Sequence, residues 1–145
     1  MYLRRRTSFA VFRHCSFQAN IANSASAGAI RIEQFASVEI YDSLLSENSA
    51  PEGSAVSVQK FEVPLYIVNT SFVENQGEGV IHLADSVLRL ADVSLTRNSG
   101  PKTGGLVLVN SEVSAVGSTF AEISGLQGCV LSVLQTSTSP LRLAI

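Results

Sequence analysis

Apolar residues along this chain fall in short alternations, separated by stretches of Ser, Gly, Asn, Asp and Pro. Alternation places every second side chain on one face of a strand, and no segment keeps apolar residues at spacings of three, four and seven long enough for a helix. The alternations recur as a set. Aligned on the Asn of "FVEN", the chain contains "FRHCSFQAN", "IYDSLLSEN", "IVNTSFVEN", "LADVSLTRN" and "AVGSTFAEI", ending at Asn20, Asn48, Asn75, Asn98 and Ile123, so the steps are 28, 27, 23 and 25 residues. The sixth position is always large and apolar: Phe17, Leu45, Phe72, Leu95 and Phe120. The third is His14, Asp42, Asn69, Asp92 or Gly117, residue types that mostly tolerate a tight turn or a left-handed backbone. After a variable polar stretch comes a second alternation, "GAIRI", "SAVSV", "GVIHL", "GLVLV" or "CVLSV", and then a third, "VEI", "LYI", "LRL", "VSA" and again "LRL" at 141–143.

Three short strands per unit cannot bury their inward side chains alone, but stacked copies can. The pattern therefore predicts an all-β parallel β-helix of about five coils, three short strands per coil, with a period of 23–28 residues. Equivalent strands would lie about 4.8 Å apart. Residues 1–10 read as an N-terminal lead-in and 11–145 as the repeats, an excerpt of a longer solenoid. Phe17, Leu45, Phe72, Leu95 and Phe120 form the expected core stack. At roughly 1.5 to 3 kcal/mol per buried side chain this column contributes on the order of 10 kcal/mol, far below the ordering cost of the chain, so several columns must act together. Asn20, Asn48, Asn75 and Asn98 form a second column, expected to be a structural ladder because a buried amide without partners costs about 1 to 3 kcal/mol. Ile123 would end it. Pro51, Pro64, Pro101 and Pro140 read as turn markers, and Gly77 and Gly79 as a bend. A leucine-rich repeat has a similar period but expects a denser Leu skeleton and a helical return.

Composition adds exclusions. With 46% hydrophobic residues the 145-residue chain is one ordinary folded domain. Ten Lys and Arg against twelve Asp and Glu leave a formal charge of -2, without the basic surplus that drives nucleic-acid binding. The run Arg4-Arg5-Arg6 is followed by polar residues before any apolar stretch forms, so no cleavable signal is read. No window approaches the 18 or so apolar residues of a membrane span. Cys15 and Cys129 belong to coils one and five, roughly 19 Å apart by stacking, and are not expected to pair.

Candidate chemistry is sparse. Outward positions on the second alternation read as Arg31, Ser57, His82, Leu108 and Ser132, and on the third as Glu39, Tyr66, Arg89, Ser114 and Arg142. Neither column gathers the paired carboxylates of polysaccharide-cleaving chemistry. Asp42, Asn69 and Asp92 share a turn column that oxygen-ligand geometry would allow to hold calcium, but Asp and Asn are also the residues that turn a chain between strands, and the turn role is the expected one. His14 shares that column and His82 lies on another face; neither has a ligand partner at metal spacing. No cofactor, metal or catalytic residue is assigned. The Asn69-Thr70-Ser71 triplet fits the N-glycosylation pattern.

"FQAN" with "GAI", "FVEN" with "GVI" and "LTRN" with "GGLV" resemble the FxxN and GGA[ILV] tetrapeptides of the chlamydial-type polymorphic outer membrane protein repeat. The resemblance covers residues 11–133. Leu replaces Phe twice, Ile123 replaces Asn, and Gly104-Gly105 is the full Gly pair. It implies a right-handed, pectin-lyase-like parallel β-helix in an extracellular or cell-surface, adhesin-like protein, flanked by neighbouring coils. Three functions follow as expectations: a non-catalytic solenoid that meets a glycan, a host protein or its own kind through its outer faces; a carbohydrate-active β-helix whose active coils lie outside this segment; and a passive spacer.

Overall fold

The computed structural model describes residues 1–4, 9–24, 26–33, 37–127, 130–134 and 143–144; Cys129, Pro140 and Arg142 lie outside them. Every regular element among these residues is a strand, and every ladder between strands is parallel. The chain coils about five times into a parallel β-solenoid.

The second alternation of the sequence builds one face. It stacks β1 (Tyr2–Arg4), β4 (Ile30–Glu33), the first part of β8 (Val56–Val68), the first part of β11 (Ile81–Ala91), β13 (Leu106–Val109) and β16 (Leu131–Leu134). The third alternation builds the next face from β2 (Phe9–Arg13), β5 (Ser37–Tyr41), the second halves of β8 and β11, β14 (Glu112–Val116) and β17 (Leu143–Ala144). Because β8 and β11 run through the corner between them, these faces form one 10-stranded sheet. The nonapeptides supply a separate 5-stranded sheet: β3 (Ser16–Gln18), β6 (Leu44–Ser46), β9 (Ser71–Val73), β12 (Ser94–Thr96) and β15 (Thr119–Ala121).

The polar stretch after each nonapeptide is more regular than its composition suggests. Part of it pairs as a fourth short face, β7 (Ser49–Glu52) with β10 (Gln76–Glu78). Single bridges Ile21–Ser49, Gln76–Ser99 and Ser99–Ser124 carry this pairing to the coils on either side. Pro51 therefore lies within β7 and Pro64 within β8, not in turns between strands. Pro64 is accommodated because β8 has two extra residues at this point: Phe61 faces Ser86 while Leu65 faces Leu88, and an irregularity of this kind is where a residue without an N–H is tolerated.

Inside the coil, like residues stack. Phe17, Leu45, Phe72, Leu95 and Phe120 are consecutive register partners. Leu45, Phe72 and Leu95 are fully buried, while Phe17 and Phe120 at the ends are partly buried against the core. Phe12 meets Phe17 edge to face, with ring centroids 5.4 Å apart. Two further columns close the core from the neighbouring face, Val38, Leu65, Leu88 and Val113 with Ile40, Ile67, Leu90 and Ala115, all buried.

One sequence assignment is corrected by register. Leu108 is not outward: it pairs with Leu83 and is fully buried, and the partner of His82 in that coil is Val107. Aligning coil four on "GLVLV" rather than "GGLVL" slips the strand by one residue, which moves every side chain to the opposite face. In the last coil Val113 and Ser114 pair with Leu143 and Ala144.

Candidate functional site

The nonapeptide corner is a hydrogen-bonded column. Asn20 Nδ2 donates to Asn48 Oδ1 at 2.8 Å, Asn48 Nδ2 to Asn75 Oδ1 at 2.9 Å and Asn75 Nδ2 to Asn98 Oδ1 at 3.0 Å. Each of these oxygens also accepts the backbone N–H of the preceding Asn, at 3.1, 3.0 and 2.9 Å. The second amide hydrogen reaches back across a coil: Asn48 donates to the Phe17 carbonyl, Asn75 to Leu45 and Asn98 to Phe72. Asn48 and Asn75 thus use both donors and both acceptor positions of the side chain. Asn48, Asn75 and Asn98 are fully buried; Asn20 is exposed. Ile123 occupies the fifth position and has no amide to continue the column.

Strained turns flank this column in every coil. The residue before each Asn, together with its counterpart in coil five, has positive φ: Ala19, Glu47, Glu74, Arg97 and Glu122, between 53° and 56°. The turn column His14, Asp42, Asn69, Asp92 and Gly117 does too, between 45° and 61°. Left-handed backbone is uncommon for Glu and Arg, and it is held here by in-register bonds such as Glu47 N–H to the Val73 carbonyl and Glu74 N–H to that of Thr96. Behind the second turn runs a hydroxyl column that the sequence reading missed. Ser43 Oγ accepts from Cys15 N–H and donates to the Tyr41 carbonyl, and Thr70 Oγ1 accepts from Ser43 N–H and donates to Val68. In this column Ser118 serves Val93, and at a different corner, after Asp85 and Asn110, Ser111 serves Ser86 in the same way. Its signal was a Ser or Thr directly after the turn residue, as in "DS", "NT" and "GS".

Asp42 and Asn69 are partners of each other, Asn69 Nδ2 donating to Asp42 Oδ1 at 2.7 Å. Among the described residues no group of three or more His, Cys, Asp and Glu is arranged to hold a metal ion. Cys15 is a free thiol whose Sγ lies 3.3 Å from the Arg13 carbonyl.

The outward face of the β2, β5, β8, β11 and β14 stack carries the most varied chemistry. Val11, Glu39, Tyr66, Arg89 and Ser114 are successive register partners, and Arg13 and Tyr41 start the adjacent column. Tyr66 is 41% exposed. The ionisable groups around it are held in place: Tyr41 donates its hydroxyl to Glu39 at 3.0 Å, Arg13 stacks 4.7 Å over the Tyr41 ring, and Arg89 pairs with Glu112 at 2.7 Å. The Glu39 carboxylate beside it holds the Tyr41 phenol above its usual 10.0. Glu39 and Arg89, two coils apart, thus engage other residues and leave the Tyr66 ring between them.

The other outward column is Arg31, Ser57, His82, Val107 and Ser132. Arg31 is ion-paired with Glu33. Ser57 is fully buried although it points away from the core. The cause is the glycine turn before the strand: a Cβ on Gly53 would sit 3.0 Å from Ser57 Cβ, and one on Gly79 would sit 2.8 Å from Val107 Cγ2. Both glycines have positive φ, 58° and 70°. These turns roof the column on either side of His82, and Ser57 Oγ and His82 Nδ1 are buried there without a hydrogen-bond partner. Burial pushes the His82 imidazole below its ordinary 6.5, against the opposing pull of Glu52 and Glu78.

A shallow groove of about 370 Å³ crosses the fourth face, lined by Ala22, Asn23, Ala50, Pro51, Gly77 and Pro101 among others, with no ionisable side chain in it. No family model, curated protein or solved structure matches the chain.

Proposed function

We propose that this chain is a non-catalytic β-helical repeat segment of the polymorphic outer membrane protein repeat type, right-handed and pectin-lyase-like, that serves an adhesin-like or structural role on a surface or in a secreted protein. Its partner is a glycan, a host protein or another copy, met through the outer face around Tyr66. The observation that carries this reading is the state of that face: an exposed aromatic ring flanked along the stack by Glu39 and Arg89, with neighbouring charges already paired. Groups ordered before binding lose less entropy when a partner arrives, and a Tyr ring offers apolar area with few rotatable bonds.

The repeat chemistry supports the structural side. Asn of each FxxN unit is spent on the stack itself, which leaves the outer columns free to vary.

The test combines binding to a glycan array with turnover assays on acidic polysaccharides, using the parent and Tyr66→Ala. Binding without product release, lost in Tyr66→Ala while the melting temperature is kept, is the expected result. Product release points instead to the carbohydrate-active function, and silence in both assays, together with no self-association or capture of a host surface protein, to a spacer.

A further inference from the structure

His82 occupies an unusual position for a titratable group. Its strand neighbours on the outward column are Ser57 and Val107, both covered by the roofing turns at Gly53 and Gly79. Nδ1 is buried without a partner, and Ser57 Oγ beside it is buried and unpartnered as well. A neutral imidazole can remain in such a pocket. An imidazolium carries N–H donors on both nitrogens, and a charged donor buried without an acceptor is costly.

The charged groups around it decide where the cation goes. From β7 and β10, Glu52 and Glu78 act on the ring with the sign that favours protonation. The Glu78 carboxylate also accepts the Lys102 backbone N–H at 2.9 Å, which fixes it near the turn before β13. On the flanking strands the neighbours at this level, Ser57 and Gln59 of β8 and Val107 and Val109 of β13, carry no charge. Arg31 and Glu33, one strand further along on β4, are engaged with each other.

The geometry points to His82 as a pH-operated latch: neutral, its ring closes the outer pocket beneath the Gly53 and Gly79 turns, and protonated, it swings out toward Glu52 and Glu78 and loosens that corner. Burial lowers the folded-state affinity of the ring for a proton, so as the pH falls the open or unfolded chain takes up the proton first. The contribution of the closed corner is complete above the ordinary value of 6.5 and declines as the pH drops below it toward the folded-state value. The Asn column contains no group that titrates in this range.

Amide hydrogen exchange at about pH 5 and about pH 7.5, corrected for intrinsic rates, tests the latch. Protection of the amides at 53–55 and 79–81 is expected to fall at least about fivefold at the lower pH while that of Asn48 and Asn75 is unchanged. In His82→Gln the difference between the two corners should vanish. If the variant folds poorly, an NMR titration of the parent replaces it, because the chain has two histidines and His14 is exposed. The His82 ring signal should then titrate together with the amides at 79–81. Equal acid sensitivity in parent and His82→Gln, or corner amides that do not follow the His82 titration, would overturn the proposal.

Discussion

Two corners recur in every coil, and they handle polar groups in opposite ways. At the nonapeptide corner the same residue type stands in four successive coils, so Asn20, Asn48 and Asn75 each find a partner in the next copy, and the buried Asn48 and Asn75 amides are fully bonded. At the glycine corner the outward column changes identity from Arg31 to Ser57, His82 and Val107. No side chain there can count on a matching neighbour, and Ser57 Oγ and His82 Nδ1 are left without partners. In a stacked repeat, a buried polar group is cheap when its column is uniform and costly when it is not.

Substitutions can break or sharpen this contrast. The largest effect is expected from Phe72→Asp, which puts a charge at the fully buried centre of the core stack and should abolish the folded state, read as loss of the β signal in circular dichroism. Asn75→Ala removes the acceptor of the Asn48 N–H and amide and the donor to the Leu45 carbonyl. It should cost about 3 kcal/mol or more in urea unfolding, whereas Asn20→Ala at the exposed end should cost about 1 kcal/mol. Thr70→Val keeps the shape but deletes a hydroxyl that bonds Ser43 N–H and the Val68 carbonyl, an expected loss of about 1 to 2 kcal/mol. Ser57→Ala deletes a hydroxyl equally buried but unpartnered, so it removes an uncompensated desolvation cost and stability should rise, by about 1 kcal/mol. If Ser57→Ala proved as harmful as Thr70→Val, the contrast between the corners would be lost.

What could be read from the sequence follows the same division. Phe17 to Phe120 and Asn20 to Asn98 are legible because residue type is kept at a nearly constant step, and stacking converts a constant step into contact. The left-handed residues at 19, 47, 74, 97 and 122 are not, since Ala, Glu and Arg give no hint of that backbone and are held there by the bonds between coils. Nor is the burial of Ser57: it comes from a turn folding back over the outer face, and an alternating pattern reports two faces of a strand without saying what lies on either. The slip at Leu108 has a simpler origin. "GGLVLV" is apolar at every position after the glycines, and a strand buried on both sides has no alternation to fix its register.

The central claim, that uniform columns bond themselves, is tested most directly by a double-mutant cycle on Asn48 and Asn75, with Asn48→Ala, Asn75→Ala and the double variant compared in urea unfolding. A coupling of about 1 to 3 kcal/mol between the two sites is the expected result. Costs that add within about 0.3 kcal/mol would contradict it, because two side chains that share a buried hydrogen bond at 2.9 Å cannot be independent.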